Sequence, residues 1–329
     1  MELEWTLQSG AGRLIAQTTL LHSNEPFFRQ RLPWRLGLVS LDAGPTVIAH
    51  LHRSVPTAPA AVQVTVRLDK AGQAALIARL PGKDSEMNDD PHIREMSCDP
   101  QGRGILITDG ASSVGRALVL ALIEAGAKRI WVGEPPGTTS ELPAIADAAA
   151  VTTLPLDIRS SESVAQAAQT VGERADILVN NSCREGRPLC GADAPDEAAR
   201  EEMEINYFGL LNLSRHFLPA MHAPSDMGTR SWVNVLSVYA LSNLPARTTF
   251  SASMAAALSF SQGLRARSRP TGLRVVNVFR GPMAADGLAK AIVEALRDGV
   301  EDVYPGDVAQ DWLARWLHSP KALERELAE

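Results

Sequence analysis

In the stretch TTFSASMAAALSFS (248–261), Phe250 and Met254 stand four residues apart where a helix is predicted to begin. Positions i and i+4 share one helix face. An ionisable pair so placed could move a proton and hold its charge, but Phe has no ionisable group and Met has neither charge nor donor. Substitutes are few. The tyrosines are Tyr207, Tyr239 and Tyr304, and Tyr239 falls two residues past Ser237, at the exit of a predicted strand. The five lysines are Lys70, Lys83, Lys128, Lys290 and Lys321, so none lies between residues 129 and 289. Arg247 and Arg280 supply charge but titrate too high for proton transfer. His216 is expected to be a surface or packed helix residue. Cys183 is weighed as a thiol nucleophile against the commoner role of a small buried cysteine.

A second constellation surrounds TDGASSVGRAL (108–118), which follows the apolar run GILIT (104–108) and opens a helical period from Val114 to Ala127. A strand–glycine turn–helix lets backbone N–H groups approach a pyrophosphate at a helix N-terminus. Glu134 ends the next predicted strand 19 residues after Gly115. An acid there can hold a ribose hydroxyl pair and repel the extra phosphate of NADP. A structural turn with no ligand is the competing reading.

These residues need elements to position them. From residue 101 apolar runs alternate with helical periods: RIWVG (129–133), a helical stretch near 141–149, VTTLPLD (151–157) and a helix over 162–174. DILVNN (176–181) follows, then a long helix over about 196–221, SWVNVLS (231–237), a helix over about 251–267 and LRVVNVF (273–279). Apolar strands alternating with helices predict an α/β fold, a Rossmann-type doubly wound parallel sheet. Before it, residues 1–83 read as all-β. Short alternating runs such as VQVTVRL, punctuated by DAG and DKAG, fit a small Greek-key barrel of the OB type. Residues 84–100 hold six acids, one Arg and two prolines with no hydrophobic period, and read as an acidic linker. The expected domains are therefore 1–83, a linker at 84–100, and 101–329.

The second domain resembles the short-chain dehydrogenase/reductase family. The resemblance rests on the 108–118 loop, LPLDIRS, LVNNS (178–182), EINYFGLLNLSRHFLPAM (204–221), WVNVLSVYAL (232–241), the 248–267 segment and RVVNVFRGP (274–282). It implies dinucleotide contacts at Thr108, Gly110, Ser113, Gly115, Glu134, Asp157, Asn180 and Gly281, with Asp157 at the adenine. It also implies a catalytic set of Asn, Ser, Tyr and Lys. The first two fall on Asn206 and Ser237; the Tyr and Lys positions fall on Phe250 and Met254. The family's T-G-x-x-x-G-x-G laid on Thr108 puts glycine positions on Asp109, Ser113 and Gly115, so two of three are lost. Its P-G after the last strand is Arg280–Gly281, and its N-N-A-G is Asn180–Asn181–Ser182–Cys183. With Phe250 and Met254 opposite, Asn206 and Ser237 are read as remnants that satisfy backbone groups in the core. The first domain, over roughly residues 8–82, resembles the OB-fold half of a family that accompanies thiolases and other acyl-CoA enzymes.

These resemblances imply a non-catalytic subunit that supports an acyl-CoA-metabolising dehydrogenase or thiolase, with NAD(H) bound weakly or not at all and a CoA thioester as the pathway's substrate. Association, with itself or with such a partner, is expected through the helices around 196–221 and 251–267. One alternative is an NAD-dependent oxidoreductase on a 3-hydroxyacyl-CoA-type carbonyl or hydroxyl, with Ser237, Tyr239 or a water on Asn206 delivering the proton. Another is a sensor that binds NADH without turnover. A net charge of −6 gives no general reason to expect nucleic acid, although the first domain, at +4 with Trp5, Phe27, Phe28 and Trp34, leaves an oligonucleotide barrel as a rival. No run of about 18 apolar residues is present. The three cysteines, Cys98, Cys183 and Cys190, form no C-x-x-C and fit a reducing cytoplasm. No metal site is expected.

Overall fold

A computed structural model describes residues 6, 8–24, 28, 32–68, 74–82, 90, 93, 98–138, 150–186, 196–223, 229–268, 271 and 273–328. The chain divides into two compact units, Met1–Ser97 and Cys98–Glu329.

In the first unit β1 (Ala11–Leu20), β2 (Trp34–Leu41), β3 (Thr46–Leu51), β4 (Ala60–Leu68) and β5 (Ala74–Arg79) form a closed barrel in the order β1-β2-β3-β5-β4. All pairings are antiparallel except β3 with β5. Alternation turns Leu14, Val39, Ala49, Leu51, Val62, Val64 and Ala78 into the core. Gly37 leaves room for the Leu14 and Leu51 methyl groups, which a Cβ there would crowd. Trp34 is buried and gives its indole N–H to His50 Nδ1 at 2.8 Å. Trp5 and Phe27 lie outside the described residues.

The stretch predicted as a linker is anchored where it is described. Asp90 and Ile93 are buried in the first unit, and Asp90 accepts the Arg53 N–H at 2.6 Å. Cys98 and Asp99 are buried in the second unit. Composition averages over a segment and does not register single anchoring side chains.

The second unit is a seven-stranded parallel sheet in the order β12-β11-β10-β9-β6-β7-β8. Its strands are β6 (Gly104–Ile107), β7 (Arg129–Glu134), β8 (Val151–Pro155), β9 (Ile177–Asn180), β10 (Ser231–Ser237), β11 (Arg274–Arg280) and β12 (Asp302–Val303). Strand period 2 sorts the apolar residues onto two faces. Leu106, Leu178, Trp232 and Phe279 enter one core, Ile105, Ile107, Val179 and Val233 the other. Both faces are therefore covered, which is why the strands read as unbroken apolar runs.

The helices are α1 (Ser113–Glu124), α2 (Ser161–Val171), α3 (Asp196–Met203), α4 (Leu210–His222), α5 (Thr248–Ser268), α6 (Ala285–Asp298), α7 (Gly306–His318) and α8 (Pro320–Leu327). α1 and α6 cover one face of the sheet; α2, α4 and α5 cover the other. The long helix predicted over 196–221 is interrupted by a π-helical segment at Glu204–Gly209. The helical stretch predicted near 141–149 lies outside the described residues. No described helix is long and apolar enough to cross a membrane.

Candidate active-site cleft

Strand β6 delivers the glycine turn to the carboxyl edge of the sheet, where open α/β sheets hold ligands. Thr108 is buried and gives its hydroxyl to Asn180 Oδ1 at 3.2 Å. It also accepts from the N–H groups of Asn181 and Ser182 at 3.1 and 3.0 Å, which ties the turn to the exit of β9. The Gly110 N–H donates to the Gly133 carbonyl at 3.0 Å. A Cβ on Gly115 would stand 2.0 Å from the Asp109 carbonyl oxygen, so only glycine lets α1 start this close to the turn.

The donors of this cradle are largely used by the chain itself. The Asp109 carboxylate accepts the Ser112 N–H at 3.3 Å and the Ala111 N–H as well. Ser112 caps α1 and accepts the Gly115 N–H at 3.0 Å. Asn181 Nδ2 donates to the Asp109 carbonyl and to Ser112 Oγ at 3.1 and 3.0 Å. Burial raises the Asp109 carboxyl above its ordinary value, and the two N–H bonds offset this in part. The position that matches the family's first glycine thus carries a carboxylate that is bonded within its own turn.

The remaining predicted cofactor positions are dispersed along the same edge. Ser113 opens α1 and is exposed. Glu134 ends β7. Both Asp157 oxygens are held by Arg159, at 2.9 Å each, which keeps this carboxyl below its usual range. Gly281 follows β11, and a Cβ on it would meet Val308 Cγ1 at 3.1 Å.

Phe250 and Met254 lie on the inner face of α5, 4 % and 2 % exposed, within the apolar core that also holds Leu236, Val238 and Phe279. Asn206 sits in the π-helical segment, with its amide fully used. It accepts the Arg184 N–H, donates to the Arg184 carbonyl and donates to Ser253 Oγ, each at 2.8 Å. It thus fastens the segment after β9 to α5. Ser237 Oγ accepts the Tyr239 N–H at 3.2 Å and caps the 3₁₀ turn Val238–Ala240.

A cavity of about 250 Å³ opens beside these residues, lined by Cys183, Glu185, Ser237, Tyr239, Phe250 and Arg280 among others. The Tyr239 ring meets Phe250 and Trp312 edge-on, with centroids at 6.4 and 5.3 Å. Burial raises its hydroxyl above the ordinary tyrosine value; the Glu185 charge adds to this and Arg247 opposes it. Burial pushes the Cys183 thiol up to about 12, against the pull of Arg280, which disfavours the thiolate at neutral pH. Arg247 pairs with Glu185 at 2.7 Å.

The other candidates lie elsewhere. Tyr304 stacks on Phe279 at 4.8 Å and its hydroxyl is pushed up to about 12 by burial. Tyr207 faces Phe208 and Phe260. His216 is half-buried and hydrogen-bonded with Ser161 Oγ at 2.8 Å. No cluster able to hold a metal ion occurs among the described residues. Sequence reasoning missed two contributors. The Asp109 carboxylate as acceptor within its own turn follows the Asx-turn habit of Asp. Trp312 reaches Tyr239 from α7, and no local signal marks that contact.

Comparison with known proteins agrees with this architecture. Residues 103–295 match the short chain dehydrogenase family, and residues 5–69 match the family described as the ChsH2 C-terminal OB-fold domain. An uncharacterized oxidoreductase of Bacillus subtilis, YvrD, is 27% identical over 60% of this chain and 75% of its own length. The short chain dehydrogenase pigC of Monascus ruber is 30% identical over 60% of this chain and 67% of its own. A short chain dehydrogenase of Burkholderia cenocepacia, solved in complex with NADP, superimposes with a TM-score of 0.62 at 31% identity, over 70% of this chain and 99% of that one. A match over well over half of this chain, on the parallel sheet described above, makes it a member of the short-chain dehydrogenase family that carries an N-terminal OB-fold domain.

Proposed function

We propose that this chain is a non-catalytic member of its family, a subunit that supports an acyl-CoA-metabolising dehydrogenase or thiolase. One observation carries the reading: the positions that match the family's Tyr and Lys hold Phe250 and Met254, both packed as core. A positioned general acid–base group is worth about 10²- to 10⁴-fold in rate, and the companion charge is missing too. The Asp109 carboxylate, which accepts N–H groups inside the nucleotide turn, supports weak or absent NAD(H) binding. The resemblance of the barrel to thiolase-associated OB domains supports the acyl-CoA setting.

The partner surface is a groove of about 1020 Å³ between α4 and α5, floored by Tyr207, Leu211, Leu218, Phe260 and Leu264 with Arg215 and Arg267 at its rim. The family resemblance assigns pairing to these helices, and the occupant proposed is an active dehydrogenase of the same fold. The purified chain, assayed with NADH and acetoacetyl-CoA, is expected to show no turnover and a flat NADH titration. Turnover at ordinary dehydrogenase rates contradicts the reading.

One observation favours a second reading. Tyr239 lines the cavity with Ser237, so a hydroxyl pair faces the cleft without Phe250. A rearranged oxidoreductase predicts tight NADH binding and a rate lost on Tyr239→Phe.

A further inference from the structure

At the amino edge of the parallel sheet, opposite the cleft, lies a cavity of about 430 Å³. Lys128, Arg129, Trp131, Arg174 and Asp176 line it, where β6 and β7 begin and the chain turns into β9. Arg129 and Trp131 stand two apart on β7 and so share a face of the sheet. A Cβ on Gly104, the register partner of Arg129, would collide with the Arg174 carbonyl and stand 2.9 Å from Trp131 Cζ3. Glycine there lets the 3₁₀ turn Gly172–Arg174 lie against the indole. Two guanidinium groups then cover the Trp131 ring, with Arg129 Cζ at 5.8 Å and Arg174 Cζ at 5.5 Å from its centroid. Trp131 is itself buried, so its ring is a fixed platform for both cations.

The donors of these cations are largely unspent. The side chains of Lys128 and Arg129 make no hydrogen bond or ion pair with a described residue. A cation–π contact engages the face of a guanidinium and leaves its N–H groups available, so Arg129 keeps five donors and Lys128 three. Arg174 gives Nε to the Val171 carbonyl at 3.1 Å and Nη2 to the Thr170 carbonyl, which leaves Nη1. The carboxylate that lines the cavity, Asp176, is 7 % exposed and already engaged. It accepts the Gly104 N–H at 3.2 Å and pairs with the buried Arg230 at 3.9 Å. Three cations therefore border one cavity, in a chain whose net charge is −6.

We propose that this edge is a binding site for a phosphate group, borne by a small ester or present as diphosphate, and separate from both the cleft and the groove between α4 and α5. Two planar forks and one ammonium suit a tetrahedral dianion with several oxygen acceptors. A single carboxylate would leave part of that charge unmet. The cavity falls within the size range of small-molecule sites, which leaves room for whatever the phosphate is attached to. Lys128 and Arg129 take the phosphate oxygens, and Arg174 Nη1 adds a third contact. Trp131 holds the two guanidinium groups in place, so little side-chain freedom is lost on binding. All three cations are exposed, so the ligand reaches them directly from solvent. No bond is made or broken. The site does not depend on the chain acting as a subunit.

The test uses the full chain and two probes, inorganic pyrophosphate and glycerol 3-phosphate. Each is titrated by isothermal calorimetry at about 0.15 M salt, where distant charges are screened. Saturable binding of at least one probe is expected. Tighter binding of the ester assigns the site to an organic phosphate, and tighter binding of pyrophosphate assigns it to free diphosphate. Arg129→Gln should weaken the bound probe by roughly ten- to a hundredfold, the scale of one charged hydrogen-bonded contact. Arg129→Lys should weaken it less. The double variant Lys128→Gln/Arg129→Gln should lose measurable binding with its circular dichroism unchanged, since both side chains are exposed. Lys290→Gln removes the same charge from an exposed position on α6 and should leave binding as it was. If neither probe binds, if Lys290→Gln weakens binding as much as Arg129→Gln, or if the double variant keeps full affinity, the proposal is overturned.

Discussion

Met254 and Asp109 are the residues where this chain departs most from what its fold would use, and both make measurable predictions. Met254 is packed as core. Met254→Leu conserves volume and polarity and is expected to cost under about 1.5 kcal/mol. Met254→Lys places an unpaired charge there and is expected to cost about 3 kcal/mol or more. Urea denaturation of the two variants makes the comparison; a Lys variant as stable as the Leu variant would mean that the position opens to the cleft. At Asp109, burial holds the carboxyl above its ordinary value. Below the ordinary value the group is neutral in both folded and unfolded chains and has no effect. As pH rises the unfolded chain ionises first, so the folded state loses stability across the window from the ordinary to the raised value, and the loss persists above it. Asp109→Asn keeps an acceptor for the Ser112 N–H and removes the charge. Its melting temperature is expected to exceed that of the natural chain at neutral pH, and the two should converge in acid. An Asn variant that is less stable at neutral pH would show that the carboxylate bonds outweigh its burial.

At the scale of elements, α5 is held to the sheet by a buried polar ladder. Trp232 Nε1 donates to Asn234 Oδ1 at 2.9 Å, and Asn234 Nδ2 donates to Ser261 Oγ at 2.9 Å. Ser261 donates to Asn277 Oδ1 at 2.5 Å, and Asn277 Nδ2 reaches Asp302 at 3.3 Å. Satisfied buried ladders rigidify, and a broken one leaves orphaned groups. Ser261→Ala is expected to cost about 1–3 kcal/mol, read by urea melts, with faster amide exchange in α5. No loss of stability would mean that the neighbours find other partners. The longer strands of both units and α1 and α2 were legible because their periods are clear: VQVTVRL alternates, and GILIT is apolar on both faces. The π-helical break at Glu204–Gly209 was not legible: Asn206 and Gly209 are poor helix formers, but no sequence period marks a wider turn. β12 is two residues long, too short to carry a period. In the site, the replacements at Phe250 and Met254 could be read directly, because one residue type stands for one chemistry. Asn206, read in the sequence as a residue that satisfies main-chain groups, exchanges two hydrogen bonds with the Arg184 backbone. The pairing of Glu185 with Arg247 could not be read, because it joins segments about 60 residues apart.

Over the whole molecule, two units of different architecture share one chain: a closed barrel, and a parallel sheet covered by helices on both faces. The groove between α4 and α5 is the surface on which the subunit reading depends. Phe260→Glu puts a charge on its floor without touching the cleft. It is expected to shift the assembled species to the monomer in light scattering, with far-ultraviolet circular dichroism unchanged. An assembly that survives this change would move the interface elsewhere.

The most direct measurement is affinity purification of the tagged full chain from its own cells, with mass spectrometry of what accompanies it and native mass spectrometry of the stoichiometry. The account predicts a partner near one-to-one that is a thiolase or a short-chain dehydrogenase with its catalytic Tyr and Lys intact. A chain that emerges alone, and that turns over a 3-oxoacyl-CoA with NADH or NADPH, contradicts it.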